Sequence, residues 1–383
     1  MIEISDLRRR VFAELLESGF DITDGVPELP AGEGKDVFRK IHERHRQLVL
    51  REQSEFIWNK EDSLLDNFAD GKDLNLKEFQ AVVTEVTTTE DEELFKYASL
   101  TWSVPVTVGY GRRTKFLVRD KYNGKLVGIF ALMDPVINLT PRDSEIGWNK
   151  EDKSRRLYNV MDAFVLGALD PYRQLIAGKL IALAVVSNEV RKRIYEKYKG
   201  TTTVIQKVEK DPTPVMFTTT SALGKSSIYN RISYKDKKIF RPVGFTQGFG
   251  HFHFSTDLFE DLRDFVSDDE RFRTGAFAQG PNYRIRTIRL ALDRLGLNPN
   301  ILKHGIKREV YIAPLGYEWK AYLSCQTEKF TPFDFPMEDM SDFWINRWAI
   351  NRAKNQPEYL TWTKENIRLT RSTEHLLRQP RLL

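Results

Sequence analysis

The stretch VMDAFVLGALDPYRQLIAGK, residues 160–179, decides how the chain folds. Val160 to Leu169 is almost continuously apolar, as expected of a strand buried on both faces. Asp170 and Pro171 stop it. From Tyr172 to Lys199, Ile176, Leu180, Leu183, Val190, Ile194 and Tyr198 recur at helical spacing, with Ser187 in the one polar slot of that stripe. The prediction is therefore a strand, a tight turn and one long helix. Such a turn aims backbone N–H groups out of the sheet edge, where they can hold an anion.

Upstream, Lys115 to Arg119 and Lys125 to Met133 read as strands joined through Asn123-Gly124, a pair that tolerates the positive φ of a hairpin turn. Downstream, a strand from Val215 to Thr220 leads into SALGKSSIYNR, residues 221–231. Lys238 to Val243 and the run GFTQGFGHFHF, residues 244–254, follow. Asn282 to Leu295 reads as a helix, Arg308 to Leu315 as a strand, and a last helix begins near Ser341. Ile2 to about Lys60 is helical and charged, broken by a loop at 25–34. These elements predict an α/β fold: a helical region at 1–100, a mixed sheet flanked by helices at 101–268, and a basic α/β extension at 269–383.

Composition narrows the function classes. The 383 residues are 41% hydrophobic and 30% charged, which excludes global disorder. Lys and Arg outnumber Asp and Glu by 59 to 54, a net charge of +5, which permits a nucleic-acid partner without demanding one. Cys325 is the single cysteine, so no disulfide framework and no cysteine zinc site can form within the chain. With no stretch of about 18 apolar residues, a cytoplasmic chain without a membrane span is expected.

The ordered series FLVRD (116–120), RDSEIGW (142–148), RRLYNVMDAFVLGAL (155–169), LIAGKLIAL (175–183), TTTSALGKSSIYNRI (218–232), GFTQGFGHFHFS (244–255) and GPNYRIRTIR (280–289) resembles the Druantia anti-phage defence protein A (DruA) family. That resemblance implies a role in bacterial antiviral defence beside other proteins of the same system. The order hairpin, strand-turn-helix, strand-loop-helix and two further strands is also similar to the GNAT acyltransferase superfamily. That likeness implies a GNAT-like sheet and an acyl-CoA-like or nucleotide ligand at Arg173, Gln174, Ala177 and Gly178, although Ile176 fills a position that is glycine in GNAT proteins. It also makes Tyr229 a general acid.

Further candidates come from the residues themselves. Gly224-Lys225-Ser226 is not a nucleotide-binding loop of the Walker type, because Thr219 stands where that pattern needs glycine. Ser226 and Ser227 either cap a helix or offer donors to an anion, and Asn230 and Arg231 follow one turn on. His251 and His253 alternate with Phe252 and Phe254, so on a strand both imidazoles face one way. They serve as acid/base groups, as hydrogen-bonded structural groups, or as ligands of a divalent metal completed by His304, Asp162 or Cys325. Arg271, Arg273, Arg284, Arg286 and Arg289, with Asn282 and the interleaved Phe272, Phe277 and Tyr283, suit phosphate pairing and base stacking. The basic run of residues 39–51 either extends that surface or is an ordinary solvated helix face.

Three functions follow. The first is an antiphage component that engages nucleic acid or a nucleotide, in its enzymatic version as a GNAT-like transferase modifying a nucleobase with Tyr229, His251 and His253 as catalytic groups. The second is a non-catalytic nucleic-acid-binding or assembly subunit on a degenerate GNAT fold. The third is a metal-dependent hydrolase or nuclease using Asp120, Asp134, Asp143 and Asp162.

Overall fold

The computed structural model describes residues 3–32, 34–106, 109–203, 207–273 and 282–371. Seven strands form one sheet: β1 (Ala81–Glu85), β2 (Arg113–Asp120), β3 (Leu126–Met133), β4 (Val160–Ala168), β5 (Met216–Thr220), β6 (Arg241–Phe245) and β7 (Glu309–Pro314). They lie in the order β6-β7-β5-β4-β3-β2-β1. Every neighbouring pair is antiparallel except β4 and β5.

That parallel pair is short. It runs from Val160 opposite Met216 to Asp162 opposite Thr218 and ends there, although β4 continues to Ala168. The hydroxyl of Thr219 takes over from the backbone and donates to the Ala163 carbonyl at 2.8 Å. On the other side of β4, the register with β3 steps from Ala163 to Val165, so Phe164 is an extra residue in a bulge. A bulge bends its strand and increases the local twist, and here it sits where β4 parts from β5.

The principal helices are α1 (Ile4–Glu17), α2 (Lys35–Glu52), α3 (Ser54–Leu65), α4 (Thr89–Leu100), α5 (Thr140–Ile146), α6 (Ala177–Val185), α7 (Asn188–Tyr198), α8 (Thr256–Phe265), α9 (Tyr283–Arg294) and α10 (Met337–Trp344). Leu180 and Leu183 of α6 and the fully buried Trp344 of α10 pack with Phe130, Met161, Phe217 and Tyr311 on one face of the sheet. On the other face α3 and α4 cover Leu117, Ile129 and Val165, while Ile146 and Trp319 cover Val160, Met216 and Ile312. The polar positions Asp162 and Thr218 lie on this second face, next to the second of its apolar clusters. A fourth cluster joins α1, α2, α8 and α9 through Leu7, Val11, Leu15, Ile41, Leu258, Leu262, Ile288 and Leu292. Among the described residues no helix is long and apolar enough to cross a membrane.

Several expectations need correction. The single helix from Tyr172 to Lys199 is a 3-10 turn, Tyr172–Leu175, and two α-helices: the left-handed Ile176 separates the turn from α6, and Ser187 accepts the Val190 N–H at 3.4 Å and caps the start of α7. The polar slot in the stripe marks a helix end. Residues 251–254 form a turn, so the alternation of His and Phe does not place both imidazoles on one strand face. After Ser226 the chain makes only one 3-10 turn, Tyr229–Arg231. The region 1–100 contributes β1 to the sheet, and the extension 269–383 contributes β7 to its interior.

Candidate functional site

Asp162 occupies the last rung shared by β4 and β5, and the Thr218 hydroxyl donates to its carboxylate at 2.6 Å. Burial pushes this carboxyl up to about 6, against the downward pull of the Thr218 bond and of Arg142. Arg142 is itself fully buried. It is held by Asp143 and by the carbonyls of Val136 and Ile137 at 2.9 and 3.1 Å. Burial also raises the Tyr110 phenol, with Asp162 and Asp134 adding to the rise and Arg142 opposing it. The Tyr229 phenol is pushed up to about 12, first by burial and further by Asp162, against a hydrogen bond with Thr219.

Asp162 therefore acts electrostatically on Tyr110 and Tyr229, and Arg142 on Asp162 and Tyr110, where the strands part. A carboxyl that titrates near neutrality can take up and return a proton at physiological pH, and a phenol at about 12 stays protonated and can only donate. In the sequence Asp162 stood out only as one of four scattered carboxylates and as one of three options for a metal's third ligand. A lone aspartate inside the apolar run VMDAF was the available signal. Arg142 appeared only as the first residue of the motif RDSEIGW, and nothing in the sequence pointed to Tyr110.

Tyr229 packs between Phe240 and Tyr311, at ring-centroid distances of 5.0 and 5.1 Å. Its neighbours in the loop have structural duties. The Ser226 hydroxyl accepts the Tyr229 N–H at 3.3 Å, and the Ser226 N–H donates to the Tyr311 hydroxyl at 3.0 Å. Asn230 donates to Glu309 at 3.0 Å and to Tyr311 at 2.9 Å. Ser227 and Arg231 remain exposed.

The turn that opens α6 is closed to a phosphate. Ala177 and Gly178 are buried, and a Cβ on Gly178 would lie 2.8 Å from Cδ1 of Ile228. The left-handed residue that starts the helix is Ile176, at φ 63°. These residues do not fit the pyrophosphate of an acyl-CoA. Gln174 uses its carbonyl to accept from Arg352 at 3.2 Å. Arg173 pairs with Asp170 and lines a cleft of about 220 Å³ together with Arg46, Trp102, Trp362 and Arg368.

His251 and His253 lie elsewhere, in the helical layer. With them gather His42, His45 and His304, so five of the six histidines share one neighbourhood. His253 packs against Phe254, Phe20 and His304 at 4.7, 5.7 and 6.3 Å. Neither of its ring nitrogens makes a well-aligned hydrogen bond. Burial lowers His42 and His253 to about 3, and His251 and His304 to about 4, with Arg308, Arg284 and the neighbouring imidazoles adding to the effect. Near neutral pH these rings are uncharged.

Among the described residues no group of three His, Cys, Asp or Glu is arranged to hold a metal ion, so the third ligand that a metal at His251 and His253 would need is not supplied. Arg284 is tied into the same layer, donating to the carbonyls of Phe254 and Ser255 at 2.9 and 3.0 Å. Arg286 is half-buried and Asn282 exposed. The candidate residues thus divide between the sheet (Tyr229, Ser226, Asn230) and the histidine layer (His251, His253, Arg284). Phe277 and the side chain of Arg273 lie outside the described residues.

Residues 32–324 match the family described as Druantia protein DruA. The chain is 37% identical over 367 residues to the Druantia protein DruA of Escherichia coli (strain UMEA 4076-1), a match covering 94% of this chain and 90% of that protein. No solved structure matches.

Proposed function

Because the chain belongs to the Druantia protein DruA family, we propose that it is an antiphage defence component that engages nucleic acid or a nucleotide and performs proton-transfer chemistry on it at Asp162. The observation that carries this is the carboxyl of Asp162, raised to about 6 and hydrogen-bonded by Thr218 at the last rung before β4 and β5 part. Above about pH 6 the carboxylate removes a proton from a hydroxyl or amine of the ligand. The strand order, with its one parallel pair followed by a turn and a helix, supports a GNAT-like transferase as the class. The closed turn at Ala177 and Gly178 speaks against acyl-CoA as the donor.

That closed turn also favours a second reading, a nucleic-acid-binding or assembly subunit without chemistry. Phage plating on cells carrying the complete defence system separates the two. Asp162→Asn keeps the shape and removes the base, and it is expected to reduce protection by roughly a hundredfold, the lower end of what a general base contributes. Full protection by a folded Asp162→Asn protein rejects the catalytic reading and leaves the second.

A further inference from the structure

Beyond the end of β6 the chain continues as a two-stranded ribbon with the segment that precedes β7. Thr246 N–H donates to the Arg308 carbonyl at 2.9 Å, Gly305 N–H to the Gly248 carbonyl at 3.1 Å, and Gly250 N–H to the Leu302 carbonyl at 2.9 Å. Gly248 is required here. Its φ is +68°, and a Cβ would lie 2.8 Å from the Gly305 backbone.

Two phenylalanines of this ribbon face solvent, Phe245 at 41% and Phe249 at 37% exposure. Each carries a cation over its ring: Lys225 at 5.8 Å from the Phe245 centroid, and Arg289 at 4.9 Å from that of Phe249. Lys303 and Lys307 are exposed on the opposite strand. Residues 237–256 and 294–308 contain no Asp or Glu. Elsewhere arginines are answered by carboxylates, as Arg44 is by Glu17 and Arg294 by Asp268. Among the described residues none of Lys225, Arg289, Lys303 and Lys307 has an ion-pair partner.

Exposed aromatic rings beside uncompensated cations are the two elements of a single-strand binding surface: rings for the faces of unpaired bases and cations for the phosphates. A duplex keeps its base faces stacked inside and offers the rings nothing. Strand addition by a peptide is disfavoured at this edge, since Pro242 lacks an N–H and the register is bulged between Pro242 and Gly244. We infer that the ribbon of residues 245–250 and 302–308 is a docking surface for single-stranded nucleic acid, with bases stacked on Phe245 and Phe249 and phosphates held by Lys225, Arg289, Lys303 and Lys307. The inference rests on the nucleic-acid part of the proposed function and is independent of Asp162.

The test is fluorescence anisotropy of the full chain with a labelled oligothymidine and with its duplex, over a series of salt concentrations. The single strand is expected to bind more tightly than the duplex, and Phe245→Ala/Phe249→Ala to weaken it by about tenfold or more. Lys303→Ala/Lys307→Ala should flatten the salt dependence, by about 0.7 in the log–log slope for each phosphate no longer neutralised. All four side chains are exposed, so the variants are expected to melt like the parent. Two results overturn the inference alone: wild-type binding that the double phenylalanine change alters by less than about twofold, or equal affinity for duplex and single strand. Absence of binding to either nucleic acid by the wild type overturns both the inference and the nucleic-acid part of the proposed function.

Discussion

Replacing His253 by phenylalanine should make the protein less sensitive to acid. His253 is 4% exposed, lies among Phe20, Phe252 and Phe254, and is held at about 3. An unfolded chain titrates the same ring near 6.5. Between those values the unfolded state binds the extra proton, so stability is fully present above about pH 6.5 and is lost as pH falls below it. Lowering the pH from about 7 to about 5 should cost roughly 2 kcal/mol for this one ring. His42 and His304, 2% and 5% exposed and held at about 3 and 4, add to that loss. The total is a substantial part of a typical domain's 5–15 kcal/mol or so.

The assay is urea unfolding of wild type and His253→Phe at several pH values, read as the difference between the two proteins so that all other titrating groups cancel. At pH 7 the two are expected to agree within about 1 kcal/mol, since the ring has apolar neighbours and no well-aligned hydrogen bond to lose. At about pH 5 the variant should be ahead by about 2 kcal/mol. A difference that stays constant with pH refutes the assignment of His253 as a buried neutral imidazole.

Asp162 has the opposite sign. Its raised value means the folded state holds a proton that the unfolded state gives up above about 4, so stability falls as pH rises toward about 6. Asp162→Asn should therefore stabilise the protein at pH 7 by roughly 2 kcal/mol in thermal melts while removing protection against phage. Gly248→Ala should destabilise by at least about 2 kcal/mol, from the positive φ and the approach of the Gly305 backbone, measurable as a lowered melting temperature. Glu61 is 1% exposed and accepts from the Tyr97 hydroxyl at 2.7 Å and from the Leu369 N–H at 2.6 Å. Glu61→Ala should cost about 3 kcal/mol and speed hydrogen exchange at the Leu369 amide by at least tenfold.

The elements legible in the sequence are those whose signals are local. The apolar run from Val160, the helical stripe beyond Tyr172 and the Asn123-Gly124 turn each carry their own pattern, and all three lie where the spacing puts them, apart from the left-handed Ile176 and the break at Ser187. The site was less legible because its geometry depends on distant partners. Asp162 gains its character from Thr218 and Arg142, and Ile228 closes the turn at Gly178 from fifty residues away. The run of His and Phe at 251–254 imitates a strand, yet those rings pack on several sides of a turn, among His42 and His304 from remote segments. Alternation reports a strand only where one face is buried and the other is not.

The cluster that unites α1 with α8 and α9 has a consequence for biosynthesis. Leu7, Val11 and Leu15 are made more than two hundred residues before the Leu258, Leu262 and Ile288 side chains they join. At ordinary translation rates the nascent chain carries that apolar stripe uncovered for on the order of ten to fifty seconds. During that interval α1 is a natural client for a ribosome-associated chaperone, and synthesis that pauses before residue 258 should yield aggregation-prone fragments.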